Sequence, residues 1–403
     1  MSFNRNYSIR DFALSSCIAL AAGGAVSTLC AQNPYAETLR SIAASNRSLQ
    51  ALDLATEATK TENMSGLNLS NPQVDFAYQW GIENADKVIL DVSQEFDFAT
   101  LSGVKKEAAR SDNRVVDAAL LGERMRVLAE ADLLMTEVVY LNKLDNLYSR
   151  MVENARKQVE VLQKGLAEGS VTAVDLNSAK MELASLKGER QVNAVDLANA
   201  RMRLGAMAGG TISWHGDAYM PYEMPADLSA YTGEATSRDP EVMKAREEIA
   251  AAASQEKLRR REGLPGFSLG YTSEMMRDDN HYGVSVGVSL PLWGNHGRVK
   301  AAKAARVAAE AAAEDARFQS EMRLRGSWQK AMALRDVADE CRVLSRECDN
   351  TADIEKLYKL GQLSAQDYLA QLGSLMSLER RVIDADYAWQ QALAEFRAAG
   401  AAY

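Results

Sequence analysis

Few residues of this chain stand in patterns that make or break bonds. Gly283-Val284-Ser285-Val286-Gly287 fits the G-x-S-x-G nucleophile pattern. A serine nucleophile of that kind sits on a sharp turn from strand into helix, whereas here Val284, Val286, Val288, Leu290 and Leu292 alternate straight through the site. His215, His281 and His296 are widely spaced and fall in no metal-ligand pattern, so no zinc hydrolase is expected. Met275 and Met276 near His281 are ligand types for a soft metal, but methionine in a loop is usually incidental and no metal is assigned. No phosphate-cradling glycine loop occurs, so any energy must come from a partner. The chain reads as a non-enzyme without a cofactor.

Two aspartates recur in a fixed setting. Gly169 is followed six positions later by Asp175, and Gly361 by Asp367. After a glycine turn, Asp is a favoured helix N-cap, which is the plain reading of both. The same offset relates other landmarks: Asn71-Pro72-Gln73-Val74-Asp75-Phe76 returns weakly as Leu264-Pro265-Gly266-Phe267, and Gly103-Val104-Lys105 as Gly297-Arg298-Val299-Lys300. Offsets of 193, 194 and 192 in the same order indicate a duplication.

Each copy predicts a helix (about Tyr35 to Asn63, and about Pro240 to Glu262), two strands, a very long helix, a glycine-marked turn and a long returning helix. The seven prolines leave 73–220 and 292–403 free of any. Because proline inside a helix costs about 3 kcal/mol, such stretches permit unusual helix length. Leu101 to Gly165 and Arg298 to Lys359 are each about 60 residues, or roughly 90 Å. The fold class is mainly α with a small β part. The expected divisions are a signal peptide at 1–31, a first repeat at 32–210, an equatorial segment at 211–239 and a second repeat at 240–403. The first repeat has strands about 73–81 and 87–98 and a hairpin tip about 166–176; the second has strands about 266–274 and 282–292 and a tip about 360–368.

The strands alternate. Val74, Phe76, Tyr78 and Trp80 oppose Gln73, Asp75, Ala77 and Gln79, and the valines of 284–288 oppose Gly283, Ser285, Gly287 and Ser289. A half-buried sheet packed on the helices is one reading. Aromatics near strand ends (Tyr78, Trp80, Phe96, Phe98, Tyr271, Tyr282, Trp293), strand lengths of about ten residues and polar connecting loops favour a membrane barrel instead. Four strands cannot close, and an open edge in hydrocarbon costs several kcal/mol per unpaired group. The smallest barrels, of about eight strands, are filled by side chains, so three chains giving twelve strands is the smallest assembly with a usable lumen.

The address agrees. Arg5 and Arg10 precede the apolar run Phe12 to Val26, with cleavage expected after Ala31. Leu14-Ser15-Ser16-Cys17 looks like a lipoprotein site but sits before most of the apolar run. The exported chain keeps Cys341 and Cys348, about 10 Å apart along one helix and so read as free thiols. A net charge of −9 and pI near 5.2, without a clustered basic face, argue against a nucleic-acid partner.

The layout resembles the TolC family of outer-membrane efflux channels over essentially the whole mature chain. The residues that carry the resemblance are Ser289-Leu290-Pro291-Leu292-Trp293-Gly294-Asn295-His296-Gly297-Arg298 and the paired tips, Glu168 to Leu176 and Leu360 to Tyr368. The resemblance implies a homotrimer with a twelve-stranded barrel in the outer membrane on an α-helical barrel in the periplasm. It implies a passive exit duct whose tips, at Gly169, Ser170, Val171, Gly361, Gln362 and Leu363, dock a periplasmic adaptor and through it an inner-membrane pump. It places Asp367 in an acidic aperture ring and makes Asp175 and Tyr358 a hydrogen-bonded gate. Ala370 and Leu363 stand where some relatives carry a second aspartate and an arginine, so part of that gate is missing. Three carboxylates on a narrow axis would repel one another and attract cations. By itself Tyr358 reads as a packed helix tyrosine. The alternative function is a periplasmic coiled-coil adaptor or scaffold without a pore.

Overall fold

A computed structural model describes residues 34–80, 86–210, 212, 214–216, 218–276, 279–291, 295 and 297–403. The signal at 1–31, residues 82–85 of the first inter-strand loop, Asp278 of the second, and Leu292, Trp293, Gly294 and His296 lie outside the described residues.

The first repeat opens with α1 (Pro34–Ser45) and α2 (Arg47–Asn63). One helix was expected here. The chain divides at Asn46, whose extended backbone (φ −64°, ψ 117°) and side chain, accepting from the Leu49 N–H, restart the helix. Strands β1 (Gln73–Gln79) and β2 (Lys87–Phe96) follow, then the single turn α3 (Phe98–Leu101). Phe98 is therefore helical and not the end of the second strand: Asp97 accepts from the Thr100 N–H at 2.7 Å and stops β2. Helix α4 (Val104–Ala167) is 64 residues without interruption, and α5 (Ala173–Met207) returns beside it.

The second repeat comprises α6 (Leu228–Arg238), α7 (Pro240–Arg261), β3 (Gly266–Met276), β4 (Asn280–Ser289), α8 (Arg298–Glu347), α9 (Thr351–Lys359) and α10 (Ala365–Ala399). The duplication is visible in the backbone, since Gly103 and Gly297 both take positive φ (72° and 81°) immediately before a long helix. The second long helix, expected to run unbroken from Arg298 to Lys359, is interrupted at 348–350. Asp349 accepts from the Thr351 N–H (3.2 Å) and Oγ1 (2.6 Å), a local bond that competes with the helical ladder. The strand ends also differ: β3 runs on to Met276 and β4 begins at Asn280, so the hairpin loop is shorter than its polar composition implied. Cys341 and Cys348 are free thiols, as expected.

The helices pack in long antiparallel pairs, α4 against α5, α7 and α10, and α8 against α7 and α10. Apolar clusters mark the seams. Tyr35, Ile42, Met135, Val138 and Leu204 join α1, α4 and α5 at mid-height, and Val159, Leu162, Leu176 and Ala179 close the first hairpin near its tip. No helix among the described residues is long and apolar enough to cross a membrane.

Candidate functional site

The four strands form one antiparallel sheet in the order β1-β2-β3-β4, so β2 and β3 join the two repeats and β1 and β4 remain edges. Residues directly opposite each other lie on the same face. One rung carries Val74, Val92, Tyr271 and Val284; the next in sequence carries Phe76, Leu90, Ser273 and Tyr282. The other face carries Gln73, Ser93, Gly270 and Ser285, and beside them Asp75, Asp91, Thr272 and Gly283. Apart from Ser273, these rungs make one apolar surface across both repeats, and no helix among the described residues covers it: Val74 is 64% exposed, Phe76 70%, Val284 74% and Val286 73%.

The small residues of the opposite face have a packing reason. A Cβ on Gly270 would lie 2.5 Å from Ser285 Oγ, and one on Gly287 would lie 2.3 Å from Ser268 Oγ. In both of these pairs glycine faces serine, and a larger side chain in its place would crowd the serine hydroxyl. Thr272 donates to Asp91, fixing one carboxylate of this polar face.

The two hairpin tips are built alike. Gly169 (φ 73°) and Gly361 (φ 71°) occupy the left-handed position after a helix, where glycine alone is unstrained. The following N–H groups, of Ser170 and Gln362, return to the carbonyls of Gly165 (2.8 Å) and Leu357 (2.9 Å). Thr172 and Ser364 are the N-caps of α5 and α10, and Asp175 and Asp367 stand three positions inside. The capping role expected of the aspartates therefore belongs to the hydroxyl residues. Asp175 completes the box: its N–H donates to Thr172 Oγ1 (3.2 Å), and its Oδ2 accepts from the Thr172 hydroxyl (2.7 Å) and N–H (3.0 Å). These bonds, the hydroxyl's first, hold the Asp175 carboxyl below its ordinary value. At the second tip the Ser364 hydroxyl donates to Asp367 Oδ2 (2.7 Å) and accepts from the Asp367 N–H (3.0 Å).

Gly169, Ser170, Gly361 and Gln362 are exposed, and Val171 and Leu363 are half-buried. Within the chain Tyr358 makes no hydrogen bond to Asp175. It is 43% exposed and stacks on Tyr368, with ring centroids 4.6 Å apart and planes at 15°.

One centre carried no sequence signal. Asp132 of α4 is fully buried and accepts from Arg397 of α10 (Nε 2.9 Å, Nη2 2.7 Å), from the Tyr35 hydroxyl of α1 (2.6 Å) and from the Tyr403 hydroxyl (3.0 Å). Burial first, then the Asp132 charge, drives the Tyr35 hydroxyl well above its ordinary pKa, so it remains a donor. Three remote segments, α1, α4 and the C-terminal stretch 397–403, meet on one carboxylate.

No family model and no curated protein sequence matches the chain. Solved structures do resemble it. CusC, studied for the conformational changes that accompany folding and transmembrane channel formation, is 15% identical over 95% of each chain, with a TM-score of 0.75. The Neisseria gonorrhoeae MtrE outer membrane channel in its open state is 17% identical over 91% of this chain and 88% of that one, at 0.73. The Campylobacter jejuni CmeC outer membrane channel is 14% identical over 99% and 93%, at 0.72. At such identities the likeness is one of architecture, and this chain has the fold of outer-membrane channels of the CusC, MtrE and CmeC kind.

Proposed function

We propose that the chain is the outer-membrane channel component of a tripartite efflux or secretion system, a passive exit duct across periplasm and outer membrane. The observation that carries this reading is the uncovered apolar face of the sheet, bounded by two unpaired edges. In water such a sheet is a template for aggregation. In a bilayer the same face is solvated by lipid, and the edges of one copy pair with those of the next. Three copies close about twelve strands around a lumen, which the glycine and serine face lines. A periplasmic adaptor or scaffold has no use for this face, which counts against the alternative.

On this reading the helices form the periplasmic barrel. The tip residues at 169–171 and 361–363 dock an adaptor that leads to an inner-membrane pump, and Asp175, Tyr358 and Asp367 surround the aperture. The cap bonds support a specific division of work. Asp175 and Asp367 each spend one oxygen on the local cap and leave the other for neighbouring chains. The test is fractionation followed by reconstitution. A detergent-requiring trimer in the outer-membrane fraction that conducts ions in planar bilayers is expected; a monomer soluble in buffer alone overturns the proposal.

A further inference from the structure

One of the seams between the two repeats is the antiparallel contact of α4 with α10. Along α4, Asp132, Lys143 and Arg150 are separated by eleven and seven residues; backwards along α10, Arg397, Asp386 and Glu379 are separated by eleven and seven as well. Eleven residues are about three turns and seven about two, so each trio lies along one helix face. The charges are complementary position by position. The first rung, Asp132 with Arg397, is made at 2.7 Å, and the third, Arg150 with Glu379, is made too.

The middle rung is not made. Asp386 instead contacts Arg342 of α8, Nη2 to Oδ1 at 2.6 Å. Lys143 has no ion pair among the described residues, and its ammonium lies 4.3 Å from the centroid of the Tyr219 ring. The local chemistry is unsatisfied on both sides. Among the described residues, Asp386 Oδ1 makes no well-aligned hydrogen bond despite its contact with Arg342, the buried Tyr219 hydroxyl has no hydrogen-bond partner and the Trp389 indole N–H has no acceptor. Burial lowers the Lys143 pKa; the charge of the nearby Asp386 carboxylate offsets this only in part, and Arg342 lowers it further.

We propose that Asp386 is a two-position latch, held by Arg342 within the second repeat in the arrangement seen here and by Lys143 across the seam in an alternative one. A small shift of α10 on α4 exchanges one ion pair for another of the same kind. The flanking rungs keep the register while the middle one changes partner, so the two arrangements lie close in free energy and a docking partner can select between them. Arg342 is kept in place when released by Trp389, whose ring its guanidinium overlies at 5.0 Å, and by Asp339, which it contacts at 2.6 Å.

Amine footprinting of the detergent-solubilised full chain tests this. Lysines are acetylated with a water-soluble activated ester and read by peptide mass spectrometry. In Arg342→Met the carboxylate is free to take Lys143, and Lys143 acetylation should fall about three- to fivefold, the weight of a partly exposed ion pair. Adding Asp386→Asn should restore it. Lys330, paired with Glu395 at 2.6 Å, is the internal standard and should not change, so that global loosening is not mistaken for exchange. Arg342→Gln, with a smaller change in polarity, is the second variant should the first fail to fold. Equal Lys143 reactivity in the wild type and in the Arg342 variant overturns the latch. The footprint needs no conduction, so a chain that conducts nothing counts against the channel reading alone.

Discussion

One arginine placed on either side of a single strand separates lipid from water. Val284 and Gly283 are neighbours on β4 and point to opposite faces; Val284 is 74% exposed, and a Cβ on Gly283 meets nothing within 4 Å. If both faces meet water, each substitution to arginine is a surface change worth at most about 0.5 kcal/mol. In a barrel the two diverge. The ten residues of β4 span about 34 Å, or about 26 Å along the membrane normal at a tilt near 40°, which matches the roughly 25 Å apolar band. Val284 is the fifth of the ten and therefore sits near the midplane. Arginine there costs about 2–4 kcal/mol per subunit, or about 30- to 900-fold in the folding equilibrium, while arginine at Gly283 enters the lumen and costs almost nothing. The assay is the urea midpoint of protein refolded into vesicles, with recovery in the outer-membrane fraction as a cellular measure. Equal midpoints, or greater damage from Gly283→Arg, would refute the assignment of faces and with it the barrel.

Other expectations follow from the same contacts. Asp132→Asn should cost about 3–5 kcal/mol, because it strands the Arg397 guanidinium in a site that is 1% exposed; thermal unfolding checks it, and a shift no larger than that of a surface variant contradicts it. Tyr358→Phe combined with Asp175→Ala should raise leak conductance, and Asp367→Asn should weaken block by cations; unchanged single-channel records would remove these residues from the gate. The Asp175 carboxyl has a depressed pKa when folded, so its contribution to the tip is present above the unfolded value and is lost as pH falls through the lower folded one. Amide-exchange protection at the Asp175 N–H should therefore persist through mildly acidic pH and vanish only below the ordinary carboxylate range. Loss at or above that range would contradict the bond to Thr172.

Much of the architecture is legible because it is periodic. Alternation at 73–79 and 280–289 marks strands, proline-free runs mark the long helices, and the glycine landmarks near a 193-residue offset mark the duplication. The errors are local and concern side chains that outbid the helical ladder: Asn46 divides the first helix, Asp97 ends β2 early and Asp349 breaks the second long helix. Each is an Asn or Asp whose oxygen serves a nearby backbone N–H, a competition that periodicity does not register. The tips show the same limit. Gly169 and Gly361 point to the turns, but only the hydrogen bonds reveal that Thr172 and Ser364 cap the helices and that the aspartates answer from inside. The Asp132 centre left no trace because its partners are 97, 265 and 271 residues away. The eleven-and-seven spacing of opposite charges on α4 and α10 was present in the sequence, and it acquires meaning only once the two helices are known to be neighbours.

The two repeats share tip chemistry but differ in how force reaches the tip. Helix α4 carries an unbroken ladder of backbone bonds to Ala167, and its hairpin is closed by Val159, Leu162, Leu176 and Ala179, so bending it means breaking ladder bonds or opening an apolar seam. On the other hairpin the ladder of α8 ends where the Cys348 N–H reaches Leu344, and a new one starts where the Ile354 N–H reaches Asn350. Between them Asp349 and Asn350 make only shorter-range backbone bonds, to Arg346 and Cys348, in place of the α-helical ladder, eleven residues before Gly361. Compliance is thus concentrated in one hairpin of the pair. The Arg342 side of the Asp386 latch lies on that same limb, just before the break, while Lys143 lies on the stiff helix. On the proposed docking at the tips, a pull on the second tip would bend the chain at 348–350 and load the rung of the α4–α10 seam to which the proposed latch gives an alternative partner.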